Sequence, residues 1–166
     1  MRPGFGMLEV RKAGSGMRLL GLDVGDRRIG IAISDDLGLT AQGLSTLERR
    51  NRRVDMASLQ ELITSRQVEG IVVGMPRNMD GSYGERAEIT ERFIQLLEQT
   101  CHLPCIRWDE RLTTRQAERV LRSVQPHRRK RKAVRDRIAA QLILQNYLDY
   151  QRARASRSSC DTPGEV

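Results

Sequence analysis

The chain has 166 residues, of which 39% are hydrophobic, 30% charged and 4% aromatic, and its formal net charge is +8. This is one domain's worth of chain with enough aliphatic side chains to bury a core, which excludes a disordered chain and makes a two-domain enzyme unexpected. The longest apolar runs, Ile71–Val73 and the Gln141-interrupted stretch from Ile138 to Leu144, fall far short of the roughly 20 residues that span a bilayer.

Met17–Gly25 reads as a first strand and Arg28–Ser34 as a second, joined at the Gly25-Asp26 turn into a hairpin. A third strand lies within Leu39–Leu47, after the turn Asp35-Asp36-Leu37-Gly38. The period then changes. Met56, Leu59, Leu62 and Ile63 recur at helical spacing, and Glu69–Gly74 is a short apolar run that reads as a buried parallel strand. The glycine-bearing loop Met75–Glu85, expected to close over a substrate, leads to a helix with Ile89, Phe93, Leu96 and Leu97 on one face. Pro104–Glu110 is the fifth strand. Thr113 and Gln116 form a capping box for a helix carrying Ala117, Val120, Leu121 and Val124, which Pro126 ends. Arg128–Lys132 is expected as an exposed loop, and a last helix runs from about Val134 to Tyr150. Residues 1–16 and 151–166 lack periodicity and are expected as mobile tails around a single domain, 17–150. A three-stranded antiparallel meander followed by alternating helix and parallel strand predicts an α/β fold with a mixed five-stranded sheet and helices on its faces.

The basic charge is concentrated. Residues 111–137 hold eleven Arg or Lys against two acids, and 26 of the 29 cations in the chain are Arg, whose guanidinium fork grips phosphate at two points. The plain alternative is a solvated charged face, but a localised positive field points to nucleic acid as partner. No apolar block follows the basic residues of 1–16, so no secretory leader is expected and the chain is assigned to the cytoplasm. Cys101, Cys105 and Cys160 are an odd number and read as reduced thiols.

His102 and His127 lie beside no plausible Ser or Cys nucleophile, Cys101 and Cys105 have no second ligand pair for zinc, and neither a phosphate-binding loop nor a dinucleotide fingerprint is present. Carboxylates remain. Asp23 lies in a strand whose neighbours Leu19, Leu20, Leu22 and Val24 are apolar, where an unpaired carboxylate is costly, and Gly21 leaves room on the same face. Asp136 shares a helix face with Ala140, Ile143 and Tyr147, the face expected to meet the sheet. Plainer roles are a turn-closing Asp23 and an Asp136 stabilised by a helix dipole. Glu110 closes the fifth strand, at the end where open α/β sheets gather ligands, and only one of Asp109 and Glu110 shares a face with Asp23. Three carboxylates beside a basic surface suit Mg²⁺ or Mn²⁺, hard ions that also coordinate phosphate.

Four blocks, Gly21-Leu-Asp23-Val-Gly25-Asp-Arg27-Arg28-Ile-Gly30-Ile-Ala-Ile-Ser34-Asp35, Val73-Gly74-Met-Pro76-Arg-Asn78-Met79-Asp80-Gly81-Ser82, Asp109-Glu110-Arg111-Leu-Thr113-Thr114 and Asp136-Arg-Ile-Ala139-Ala140, resemble the YqgF (RuvX) family in content and order. The resemblance covers Met17 to about Tyr150. It implies an RNase H-like fold and a nuclease, the family being described both as Holliday junction resolvases and as the enzyme maturing the 5′ end of small-subunit ribosomal RNA. The family's acidic positions fall on Asp23, Glu110 and Asp136. Three departures are visible: Arg135 stands where the family usually has an apolar residue, the 16 residues before Met17 have no family counterpart, and related resolvases carry four carboxylates, for which Asp109 and Asp35 are the remaining candidates here.

The reading is a metal-dependent endonuclease acting on structured nucleic acid, most fittingly the 5′ end of pre-16S rRNA. Asp23 bridges two Mg²⁺ (or Mn²⁺) ions and Glu110 and Asp136 each hold one side. Arg28, Arg77, Arg111, Arg115, Arg119, Arg128, Arg129, Lys130, Arg131 and Lys132 are the expected contacts to nucleic acid. The same chemistry on branched DNA, a Holliday junction, is the nearest alternative, and a non-catalytic RNA-binding module is a third. Actin-like and sugar-kinase ATPases also open on Asp-x-Gly but need two lobes. A monomer or weak homodimer without a membrane partner is expected.

Overall fold

A computed structural model of the chain describes residues 16–109 and 128–158. Along them run β1 (Leu19–Val24), β2 (Arg28–Ser34), β3 (Ala41–Glu48), α1 (Arg52–Ser65), β4 (Gly70–Met75), α2 (Glu85–Cys101), β5 (Cys105–Asp109) and α3 (Arg128–Ser158). The strands form one sheet in the order β3-β2-β1-β4-β5. The meander β1–β2–β3 is antiparallel, and β4 and β5 add in parallel beside β1. This bears out the mixed five-stranded sheet.

Alternation along the strands sorts two cores. Leu20, Leu22, Ile29, Ile31, Ile71 and Val73 face α1 and α2, which contribute Met56, Leu59, Ile63, Ala87, Phe93, Ile94 and Leu97. Leu19, Ala32 and Val72 face α3, which contributes Ala140, Ile143, Leu144, Tyr147 and Leu148. Helices thus cover both faces, and β4 is buried along its whole length, as its unbroken apolar run predicts. Of the expected α2 face, Phe93 and Leu97 are buried and Leu96 is partly buried, but Ile89 is exposed. Ala87, Thr90 and Ile94 take the inner positions instead.

Side-chain amides seat α3 on the sheet edge. Gln145 Oε1 accepts from the Ala41 backbone N–H at 2.8 Å, Gln141 Nε2 donates to the Ala41 carbonyl at 3.1 Å, and Thr46 Oγ1 donates to the Ala133 carbonyl at 2.8 Å. The helix corrects two expectations. Arg128–Lys132 is not a loop but the first turns of α3. At the other end α3 continues through residues 151–158, where the tail was expected to begin. Both extensions are made of Arg, Lys, Ala, Gln and Ser, which are good or tolerable helix formers. Neither extension carries an apolar stripe in the sequence. The predicted helix from Thr113 and the end at Pro126 lie outside the described residues. Among the described residues no helix is long and apolar enough to cross a membrane.

Candidate active site

Asp23 is paired across the β1–β2 hairpin with Gly30, and Gly30 across β2–β3 with Thr46. Partners directly opposite in an antiparallel pair share a face, so Thr46, Gly30 and Asp23 form a row beneath α3. The helix backbone lies directly on this row. A Cβ on Gly30 would run into the carbonyl oxygen of Asp136, and a Cβ on Gly21 would lie 2.7 Å from Leu144 Cβ and 3.0 Å from the Ala140 carbonyl oxygen. Gly74 of β4 likewise meets Ile143. The glycines around Asp23 allow α3 to descend until Asp136 stands above the hairpin partner of Asp23. The backbone of Asp136 is thereby set over Gly30, the residue paired across the hairpin with Asp23.

Asp136 is half-buried, and burial pushes its carboxyl above the ordinary range, an effect opposed by the charges of Arg28, Arg135 and Lys132. Its inward face is confirmed by Ala140, Ile143 and Tyr147, all buried. A dipole-stabilising role does not apply. The helix begins at Arg128, so Asp136 is more than two turns inside it. Arg28 lies on the same face of β2 as Gly30 and balances Asp136 from the sheet side.

At the end of β5, Trp108 packs toward α3, edge-on to Tyr147 at 5.5 Å between ring centroids. Its indole Nε1 is buried without a hydrogen-bond partner among the described residues. Asp109 therefore turns to the opposite face, where Arg77 Nε lies 3.3 Å from its Oδ2. This removes Asp109 as a fourth carboxylate beside Asp23. Asp35 is removed as well: it sits at the other end of β2, where its Oδ1 accepts from the backbone N–H groups of Leu39 and Thr40 and closes the β2–β3 turn. Glu110, Arg111, Arg115 and Arg119 lie outside the described residues, as do the side chains of Arg128, Arg129, Lys130 and Arg131. Lys132 is exposed on α3.

Arg77, expected to contact nucleic acid, is held within the chain. Its Nη2 donates to the Tyr83 hydroxyl at 2.6 Å and its guanidinium lies 4.6 Å from the Tyr83 ring centroid. The loop that carries it is bonded to itself, with Asn78 N–H donating to the Ser82 carbonyl and Ser82 N–H to Asp80 Oδ1. Arg86 pairs instead with Asp26 in the β1–β2 turn at 3.5 Å. That turn has a second brace, Arg49 Nη1 donating to the Gly25 carbonyl at 2.9 Å while its Nε lies 3.5 Å from the buried Asp55. These braces fix the hairpin end on which Asp23 sits.

Chemically, two carboxylates, one of them desolvated and both set among glycines, offer hard oxygen donors suited to Mg²⁺ or Mn²⁺. Among the described residues no group of three or more His, Cys, Asp or Glu is assembled to hold a metal, and the third carboxylate assigned from sequence, Glu110, is not among them. Cys101 and Cys105 are free thiols, and burial pushes Cys105 up to about 12, which leaves it unreactive. Sequence reasoning missed Gly30 and Gly74. The available signal was a glycine inside an apolar strand, Ile29-Gly30-Ile31, which marks close approach by another backbone.

The model of the RuvX family, described as Holliday junction resolvase, matches residues 17–150. A protein of Halothermothrix orenii is 53% identical over 135 residues, covering 81% of this chain and 96% of its own length. One of Heliobacterium modesticaldum is 46% identical over 149 residues, covering 90% and 100%. Both bear the name "Putative pre-16S rRNA nuclease". Among solved structures, RuvC of Thermus thermophilus aligns with a TM-score of 0.50 over 76% of this chain and 92% of its own, at 12% identity, a likeness of fold alone. Together with the sheet order it bears out the RNase H-like fold.

Proposed function

The chain belongs to the RuvX family, and from that premise we propose that it is an endonuclease hydrolysing phosphodiester bonds in structured nucleic acid, with the 5′ end of pre-16S rRNA as its substrate. The name shared by relatives about half identical to it supports the RNA substrate. The observation that carries the hydrolytic reading is the placement of Asp136 over Gly30, the cross-strand partner of Asp23. Burial already pushes the Asp136 carboxyl above its ordinary range, a cost to which a site that holds cations gives a purpose.

Asp23, Asp136 and Glu110 are the residues that would hold Mg²⁺ or Mn²⁺. When bound, such ions supply Lewis-acid stabilisation of a phosphoryl oxygen and a water of lowered pKa. Asp23 is carried on a hairpin whose turn is braced by Arg49 and Arg86. Asp136 is delivered by a helix locked to β3 through Gln141, Gln145 and Thr46. Glu110 is favoured over Asp109 because Trp108 faces α3 and Asp109 faces Arg77. Phosphate binding is assigned to the first turns of α3, where Arg128, Arg129, Lys130, Arg131 and Lys132 crowd the positive end of a helix dipole with no acid among them. That arrangement is unfavourable alone and favourable against a polyanion.

Pre-16S rRNA and a four-way DNA junction, each incubated with the full chain in Mg²⁺, in Mn²⁺ and in EDTA, test the proposal. Metal-dependent cleavage of the RNA near its mature 5′ end is the expected result. Cleavage of the junction alone assigns the chain to DNA, the reading favoured by the family's description as Holliday junction resolvase. Cleavage of neither overturns the nuclease reading.

A further inference from the structure

The loop between β4 and α2 displays two large side chains that no folding role explains. Met79 is fully exposed, and Tyr83 is 59% exposed. The backbone turn between them is closed by hydrogen bonds, and Tyr83 has a side-chain partner. Gly81 N–H donates to the Asn78 carbonyl at 2.9 Å, closing a β-turn with Met79 at its first central position. Asn78 Nδ2 donates to Ser82 Oγ at 3.0 Å, and Gly81 takes φ +87°, a conformation that favours glycine. Tyr83 is fixed by Arg77, which bonds its hydroxyl and covers one face of its ring. Arg77 is fixed in turn by Asp109, the residue immediately before Glu110.

We propose that this loop is a base-stacking platform: Tyr83, backed by Arg77, stacks an unpaired base of the substrate on its open face, and Met79 wedges against the neighbouring step. Aromatic rings and Arg planes take bases of any sequence, and apolar side chains such as Met serve as wedges between stacked bases. The loop leaves the C-terminal end of β4, the same end of the parallel strands that carries Asp23 on β1. A base held there flanks the phosphate to be cut. The hydrogen bonds within the loop suit it to a platform. This inference rests on the nuclease reading and narrows its substrate to sites where unpaired bases adjoin the scissile bond.

The test measures binding of the full chain in EDTA, over a series of salt concentrations, to a single-stranded RNA carrying 2-aminopurine and to a fully paired duplex of the same sequence. Tyr83→Ala is expected to lose about tenfold in affinity for the single strand, with duplex affinity and salt slope unchanged. Tyr83→Phe keeps the single-strand affinity, and Met79→Ala reduces the 2-aminopurine response on binding. Single-strand binding by Tyr83→Ala equal to that of the parent, or an equal loss on the duplex, overturns the platform. Because no cleavage is involved, the readout is separate from the nuclease reading: a chain that cuts nothing but shows the Tyr83 effect retains the platform, and a chain that cuts RNA without the Tyr83 effect loses it.

Discussion

The carbonyl oxygen of Asp136 stands where a Cβ of residue 30 would have to be, so that only glycine at position 30 allows α3 to rest on the sheet beside Asp23. Fold and candidate site thus depend on one missing methyl group. Gly30→Ala must lift or shift the helix, which overpacking measurements put at about 2 kcal/mol. Denaturant unfolding reads that loss, and cleavage falls at least tenfold as Asp136 withdraws. Full activity in a destabilised Gly30→Ala chain would separate Asp136 from the chemistry.

Asp136 itself gives a signed pH dependence. Its folded-state pKa is raised by burial, so the folded chain holds the proton more tightly than the unfolded one. The ionised carboxylate costs stability that appears as pH rises from the ordinary Asp value through the raised one and persists at neutral pH. In EDTA, Asp136→Asn is expected to melt slightly above the parent at neutral pH and together with it well below the ordinary Asp value. In the parent, Mn²⁺ at a hundred times its dissociation constant adds about 2.7 kcal/mol by mass action. Most of that gain is lost in Asp136→Asn. Melting curves with and without Mn²⁺ check both statements.

The first turns of α3 are assigned to phosphate. Replacing Arg128, Arg129, Lys130, Arg131 and Lys132 with Gln weakens RNA and duplex DNA alike, and the slope of log K against log salt flattens by about 0.9 for each lost contact to duplex. Helicity by circular dichroism is expected to hold, because Gln is a good helix former. An unchanged slope would remove these turns from the interface.

Glu91 supplies a control on α2, across the sheet from α3. Arg107 donates to both of its oxygens, at 2.6 and 2.8 Å, joining β5 to α2, and holds the Glu91 carboxyl below its ordinary range. The pair's stabilisation is fully present above the ordinary Glu value and is lost as pH falls through the depressed one. Glu91→Gln therefore costs less than about 1 kcal/mol near neutrality, since the pair is partly exposed, and nothing at strongly acid pH. Cleavage is unaffected.

Much of the fold was legible because burial and local signals agree. Gly25-Asp26 and the Asp35–Gly38 turn separate three alternating strands, and β4 carries the unbroken apolar run of a buried strand. Asp23 and Asp136 stand out in the sequence as candidates because acids on apolar faces contradict the pattern around them. The ends of α3 were not legible, since Arg128–Lys132 and residues 151–158 carry no apolar stripe in the sequence. Nor was the fate of Arg77, since no sequence pattern shows that Tyr83 and Asp109 come within reach of its guanidinium. Asp35 failed as a carboxylate candidate for a local reason, its own turn consuming its oxygen.

The most direct measurement is single-turnover cleavage of pre-16S rRNA in Mg²⁺ by the full chain and by Asp23→Asn, with the fold of each verified by circular dichroism and thermal melting. Asp23→Asn keeps the shape of the side chain and removes its charge. It is expected to fold at least as stably as the parent, to bind RNA in EDTA with unchanged affinity and to lose cleavage by at least a thousandfold, about 4 kcal/mol of transition-state stabilisation. A folded Asp23→Asn chain that cuts at the parent's rate would contradict the assignment of this site to phosphodiester hydrolysis.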